Sequence, residues 1–118
     1  MKVLIVEDDE LIGQLIQEEL EDFNISSVIA RDAITAYKIL NISKDFDYAV
    51  VDPGLPDENG IILGRYIKSI SHIKLIIYTG SELRDYRNLC EYDYFLEKGP
   101  GIKCVTDIIV NDFLSRFS

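Results

Sequence analysis

Strand-length runs at Val3 to Val6, Ile25 to Ala30, Asp47 to Val51, Leu75 to Tyr78 and Tyr94 to Leu96 alternate with segments whose apolar residues recur at helical spacing. Strands joined through helices pair in parallel by right-handed crossovers, so this alternation demands one parallel sheet with helices on both faces. The first helical pattern is Leu11, Ile12, Leu15, Ile16, Leu20 and Phe23. The second, with Asp32 as its cap, turns Ala33, Ile34, Tyr37 and Leu40 inward. Ile61, Ile62, Tyr66, Ile67 and Ile70 mark a third helix, and Ile102, Val105, Ile108, Ile109, Phe113 and Phe117 mark the last. Between these two, Ser81-Glu82 opens a short polar fourth helix in which Leu83 and Leu89 stand among Arg84, Asp85, Arg87 and Asn88, so weak packing is predicted there. A chain of 118 residues has room for one such core, and residues 1–118 read as one domain.

In a parallel sheet of this kind, chemistry collects at the carboxyl ends of the strands. The residues found there are Glu7, Asp8 and Asp9 after the first strand, Asp52 after the third, Thr79 after the fourth and Lys98 after the fifth. In the doubly wound order 2-1-3-4-5, the ends of strands one, three and four converge and Lys98 reaches across from the edge. Carboxylates about 4 Å apart repel by roughly 4 kcal/mol at an effective dielectric of about 20. A proton or a cation must therefore share the site, and Mg²⁺ suits it, because that ion takes oxygen ligands, keeps waters and commonly binds through one or two carboxylates plus a phosphate.

Charge and composition narrow the remaining classes. A net charge of −9 opposes nonspecific binding to nucleic acid, which needs clustered Lys and Arg. No apolar run approaches the roughly 20 residues of a membrane-spanning helix. The opening Met-Lys-Val-Leu-Ile-Val runs into Glu7-Asp8-Asp9 without a secretory cleavage pattern, which reads as cytoplasmic. Cys90 and Cys104 have no metal-ligand spacing and read as reduced thiols packed in or near the core. His72 reads as an exposed loop residue.

Four motifs, IVEDD at the first strand end, DPGLPDENG from Asp52 to Gly60, YTG at the fourth strand and FLEK at the fifth, together resemble the receiver domain of two-component response regulators over the whole chain. The resemblance implies a flavodoxin-like (βα)5 fold and a phosphorelay role. Asp52 would accept a phosphoryl group from a histidine kinase or a histidine phosphotransfer protein, with Mg²⁺ bound. The metal would be held by Asp8 directly, by Glu7 through water, by Asp52 and by the backbone carbonyl of Gly54. Asp9 would stand outside that set, as a helix cap or a solvated charge. Thr79 would hydrogen-bond the phosphoryl group, Lys98 would neutralise it, and the rotamer of Phe95 would respond to Thr79. The output would be a packing shift in the face made by the fourth helix, fifth strand and fifth helix, read by a downstream protein partner, with the chain a monomer or weak dimer. Such a domain is no classical enzyme, although it assists its own phosphorylation and dephosphorylation.

The loop chemistry fits that role. Pro53 and Pro56 fix φ, Gly54 is expected to supply close approach and unusual dihedrals, and Gly80 is expected to leave the site uncovered beside Thr79. Three features depart from the family pattern. Pro53 follows the acceptor directly, the segment between Thr79 and Lys98 is short, and Gly99 separates Lys98 from Pro100, which puts the family's Lys-Pro cis bond in question. Two other classes compete. A phosphatase or mutase forming its own aspartyl phosphate would want a second acid at position 54, where Gly stands. An interaction module of the same shape could signal without phosphorylation. The chain reads either as a stand-alone relay or adaptor, or as a receiver taken from a longer regulator.

Overall fold

β-Branched and apolar residues dominate the strands, and the three inner strands are buried on both faces while the two edge strands stay partly exposed. The computed structural model describes residues 1–80 and 90–117. Its strands are β1 (Lys2–Val6), β2 (Ser26–Ala30), β3 (Tyr48–Val51), β4 (Lys74–Thr79) and β5 (Tyr94–Glu97), and its helices are α1 (Glu10–Glu21), α2 (Ala33–Ile42), α3 (Gly60–Ile70) and α4 (Lys103–Ser115). All pairings are parallel in the order β2-β1-β3-β4-β5. The register sets Val6 beside both Ala30 and Val51, Val51 beside Ile77, and Thr79 beside Glu97, so the carboxyl ends lie along one edge. The helix predicted to open at Ser81-Glu82 lies outside the described residues.

Alternation along β1 divides the core. Leu4 and Val6 face one side with Ala33, Ala36, Leu40, Leu63 and Ile67, while Val3 and Ile5 face the other with Ile16, Leu20, Val105 and Ile109. The helix faces differ in detail from their sequence reading. In α1 the buried residues are Gly13, Ile16 and Leu20, whereas Leu11 is 64% exposed, Leu15 lies on the helix flank, and Phe23 falls beyond the helix end. Each of Leu11 and Leu15 sits one residue, or about 100°, away from the inward row of Ile12, Ile16 and Leu20. The same offset exposes Ile34 and Ile62, and Ala36 and Leu63 take the inward positions instead. Phe117 lies past α4 and is 75% exposed, its ring edge-on to Phe113.

Asp32 caps α2 as predicted, Asp9 takes the cap role rather than that of a solvated charge, and Asn59 is a cap the sequence reading did not assign. Asp9 accepts from the amides of Leu11 and Ile12, Asp32 from Thr35 and Asn59 from Ile61. Both cysteines are free and half-buried against the core, and His72 is exposed. No helix among the described residues is long and apolar enough to cross a membrane.

Candidate functional site

Glu7, Asp52 and Lys98 each sit one step beyond a strand, where the sheet ladder still holds the backbone. The amide of Glu7 donates to the carbonyl of Ala30 at 3.0 Å, that of Asp52 to Val6 at 3.0 Å, and that of Lys98 to Thr79 at 2.8 Å. These bonds fix the backbone, and the carboxyl ends of β1, β3 and β5 bring the functional groups within reach of one another. Lys98 Nζ donates to Asp52 Oδ2 at 2.8 Å and to Glu7 Oε1 at 3.0 Å, with Glu7 Oε2 at 2.8 Å. Glu7 and Asp52 are buried, and Asp8 is exposed. One carboxylate oxygen each from Glu7, Asp8 and Asp52 falls within 4.8 Å of the others. Three hard oxygen donors so close match what Mg²⁺ binds, so the donor set fits the ion.

The electrostatics follow from burial and pairing. Burial pushes the Glu7 carboxyl up to about 7, helped by Asp52 and opposed by its hydrogen bond from Lys98. Burial also disfavours the Lys98 ammonium, but the hydrogen bonds to Asp52 and Glu7 outweigh it and hold the group above its ordinary value. One ammonium thus serves two buried carboxylates, and Asp8 adds a third negative group.

The loop after Asp52 turns back on the carboxylate. The Gly54 amide donates to Asp52 Oδ1 at 2.9 Å, the Gly60 amide donates to the Pro53 carbonyl at 2.9 Å, and Gly54 bridges Asn59. Gly54 does not use the unusual dihedrals expected of it, since the one glycine with positive φ among the described residues is Gly101 (φ 95°). Close approach matters instead at Gly60, where a Cβ would stand 2.2 Å from the Asp52 carbonyl oxygen. Gly80 is exposed, with the Lys98 stem beside it, its Cδ 3.5 Å from where a Cβ would be. No cis peptide occurs among the described residues, in keeping with Gly99 standing between Lys98 and Pro100.

The structure therefore brings together Glu7, Asp8, Asp52 and Lys98. Thr79 lies buried at the end of β4, and its carbonyl carries the Lys98 amide. Phe95 lies within β5, half-buried against the α2/α3 side of the core, its ring centroid 5.4 Å from that of Tyr92. Asp9 caps α1 and stays outside the acidic group, as predicted. Sequence reasoning gave no role to Asp57 and Glu58, both of which reach α2. Asp57 Oδ1 and Oδ2 accept from the amides of Ala33 and Ile34 at 2.9 Å each, and the Tyr37 hydroxyl donates to Glu58 at 2.7 Å. The only signal for them was a pair of unassigned acids inside DPGLPDENG, since their partners are 21 to 24 residues away in the chain.

Comparison with known proteins supplies the family. The family model of the response regulator receiver domain matches residues 3–99. The virulence transcriptional regulatory protein PhoP of Salmonella typhimurium is 35% identical over 83 residues, which are 70% of this chain and 37% of that protein. The chain therefore spans little more than a third of the length of that relative. The chemotaxis protein CheY of Pseudomonas aeruginosa is 32% identical over 89 residues, covering 72% of this chain and 71% of CheY. A two-component response regulator from Clostridium difficile superposes with a TM-score of 0.85 at 21% identity, over 100% of this chain and 98% of the other, a likeness of fold.

Proposed function

The chain belongs to the response regulator receiver domain family, and on that premise we propose that Asp52 is the phosphoacceptor of a two-component phosphorelay. The observation that carries the proposal is the convergence of Asp52, Glu7, Asp8 and Lys98 at the carboxyl edge of the sheet, with Lys98 Nζ 2.8 Å from Asp52 Oδ2. Residues 1–118 make up the receiver. The donor is a phosphohistidine on a histidine kinase or a histidine phosphotransfer protein.

In the transfer, a carboxylate oxygen of Asp52 attacks phosphorus, the phosphorus–nitrogen bond breaks, and the imidazole leaves with its electron pair. The product is an acyl phosphate. Lys98 would neutralise a phosphoryl oxygen, and the Thr79 hydroxyl would hydrogen-bond another. Asp8, Asp52, the Gly54 carbonyl and, through water, Glu7 would hold Mg²⁺, which when bound offsets the negative charge gathered at the phosphoryl group. Burial and the ladder bonds at Asp52 and Lys98 fix the nucleophile and the cation before any donor arrives. Phe95 responds to Thr79, and the face made by the fourth helix of the sequence reading together with β5 and α4 presents the result to a downstream protein partner. The chain acts as a monomer or weak dimer.

Acetyl phosphate with Mg²⁺ tests the assignment. Intact mass should rise by one phosphoryl group in the wild type, with acid-stable, base-labile linkage, and stay fixed in Asp52→Asn. Equal labelling of that variant would place the acceptor elsewhere, and no labelling of the wild type would favour an interaction module that signals without phosphorylation.

A further inference from the structure

The first turn of α2 exposes backbone amides that a helix cannot satisfy internally. Asp32, the cap in sequence, satisfies one of them, the Thr35 amide at 2.7 Å. The amides of Ala33 and Ile34 donate instead to the two oxygens of Asp57, each at 2.9 Å, and Asp57 lies in the loop that follows Asp52. Its neighbour Glu58 takes the Tyr37 hydroxyl at 2.7 Å, one turn further along the same helix. The Tyr37 ring stands edge-on to Tyr66 of α3 with centroids 5.1 Å apart, so the attachment continues onto the helix that leaves the loop.

We infer that Asp57 and Glu58 clamp the acceptor loop to α2, and that Asp57 is a positioning residue for the Asp52 carboxylate. The loop is fixed at its start by the Gly54 amide on Asp52 Oδ1 and at its end by the Gly60 amide on the Pro53 carbonyl. Neither bond holds its middle. Leu55 is buried in the core and Asn59 is held by its bridge to Gly54 and by the Ile61 amide, and between them Asp57 and Glu58 are tied to α2. Two hydrogen bonds accepted by one carboxylate fix both a distance and an orientation, which a single bond cannot do. The Ala33 and Ile34 amides also hold the Asp57 carboxyl below the usual carboxylate range, so the clamp stays charged at neutral pH. A loop so tied keeps Gly54 against Asp52, whether or not a phosphoryl group is present.

Amide hydrogen exchange of the intact chain reads the clamp directly. In Asp57→Ala the Gly54 amide should exchange roughly fivefold faster, the size of losing one helix-cap interaction, while amides in β1 and β3 keep their protection. Asp57→Asn, which retains one acceptor oxygen, should recover part of the effect. Tyr37→Phe removes only the hydroxyl bond to Glu58 and should shift Gly54 in the same direction by less. Faster exchange confined to Ala33 and Ile34, with Gly54 unchanged in both Asp57→Ala and Tyr37→Phe, would reduce Asp57 to a cap and overturn the inference. Its chemical consequence rests on Asp52 being the acceptor: labelling by saturating acetyl phosphate should slow in Asp57→Ala and recover in Asp57→Asn. If the wild type takes no label and the Gly54 amide still responds, the acceptor assignment fails and the clamp stands.

Discussion

Glu7 holds the most strongly raised carboxyl among the described residues. It is 3% exposed, shares Lys98 with Asp52, and its carboxyl is raised to about 7 by burial first and by Asp52 second. A carboxyl raised in the folded state binds its proton more tightly there than in the unfolded chain, whose value is near 4.5. Its stabilising contribution is therefore complete below about pH 4.5 and is lost as pH rises to about 7. Glu7→Gln, which can still accept from Lys98, removes that dependence. In thermal melts with chelator present, the melting temperature of the variant relative to wild type should climb between those pH values and then level off, and Mg²⁺ should flatten the climb. A difference independent of pH would mean that Lys98 neutralises Glu7 fully. Asp93 shows the opposite balance. Burial opposes its charge, but Lys68 at 2.8 Å and the Leu75 amide at 2.7 Å win, holding its carboxyl below the usual range and tying the entry of β5 to β4.

The elements were legible wherever a local signal sufficed. The alternating runs predicted the five strands to within a residue or two, and Asp9 and Asp32 announced the caps of α1 and α2. Strand-end charges located Glu7, Asp8, Asp52 and Lys98 because the ladder continues one residue past each strand. The exposed positions Leu11, Ile34 and Ile62 were misread because an apolar residue at helical spacing does not reveal which 100° of the helix meets the sheet. Asp57 was missed because its partners come from another element. Gly60 shows how an element can depend on such a distant contact. As the first residue of a helix it would normally gain from replacement by Ala, by up to about 1 kcal/mol. Here a Cβ would meet backbone at the end of β3, 2.2 Å from the Asp52 carbonyl oxygen and 2.9 Å from Pro53 Cα. Gly60→Ala should therefore destabilise the protein by about 1–3 kcal/mol or more, the ordinary cost of overpacking, and disturb Asp52 with it. Gly99→Ala, with nothing within 4 Å of the added carbon, should leave stability nearly unchanged. Urea melts of the two variants compare the costs, and equal values would show that the end of α3 yields easily.

Across the whole molecule negative charge is in excess, and part of it is gathered at the candidate site. The chain bears a net −9, and its carboxyl edge holds three acidic groups within 4.8 Å around one ammonium. The sheet supplies the rigidity that keeps them there, since both hydrophobic cores close on strands whose ends carry the site. Repulsion so held is stored in the native state and absent from the unfolded chain, where the same carboxylates separate. A cation that binds only the native cluster should therefore stabilise the entire fold by mass action, by about 2.7 kcal/mol at a hundred times its dissociation constant. Mg²⁺ should accordingly raise the melting temperature of the unphosphorylated protein. The residue dependence distinguishes specific binding from general screening. Asp8 lies in the cluster, whereas the adjacent Asp9 spends its carboxylate on the amides of Leu11 and Ile12. Asp8→Ala should remove the Mg²⁺ shift. Asp9→Ala should lower the starting stability by about 1 kcal/mol, as loss of a helix cap does, and keep most of the shift. Calorimetric melts of both variants with and without Mg²⁺ at constant ionic strength separate the two effects. If Asp9→Ala lost the shift and Asp8→Ala kept it, the acid that meets the ion would be one residue further along the chain than the geometry indicates.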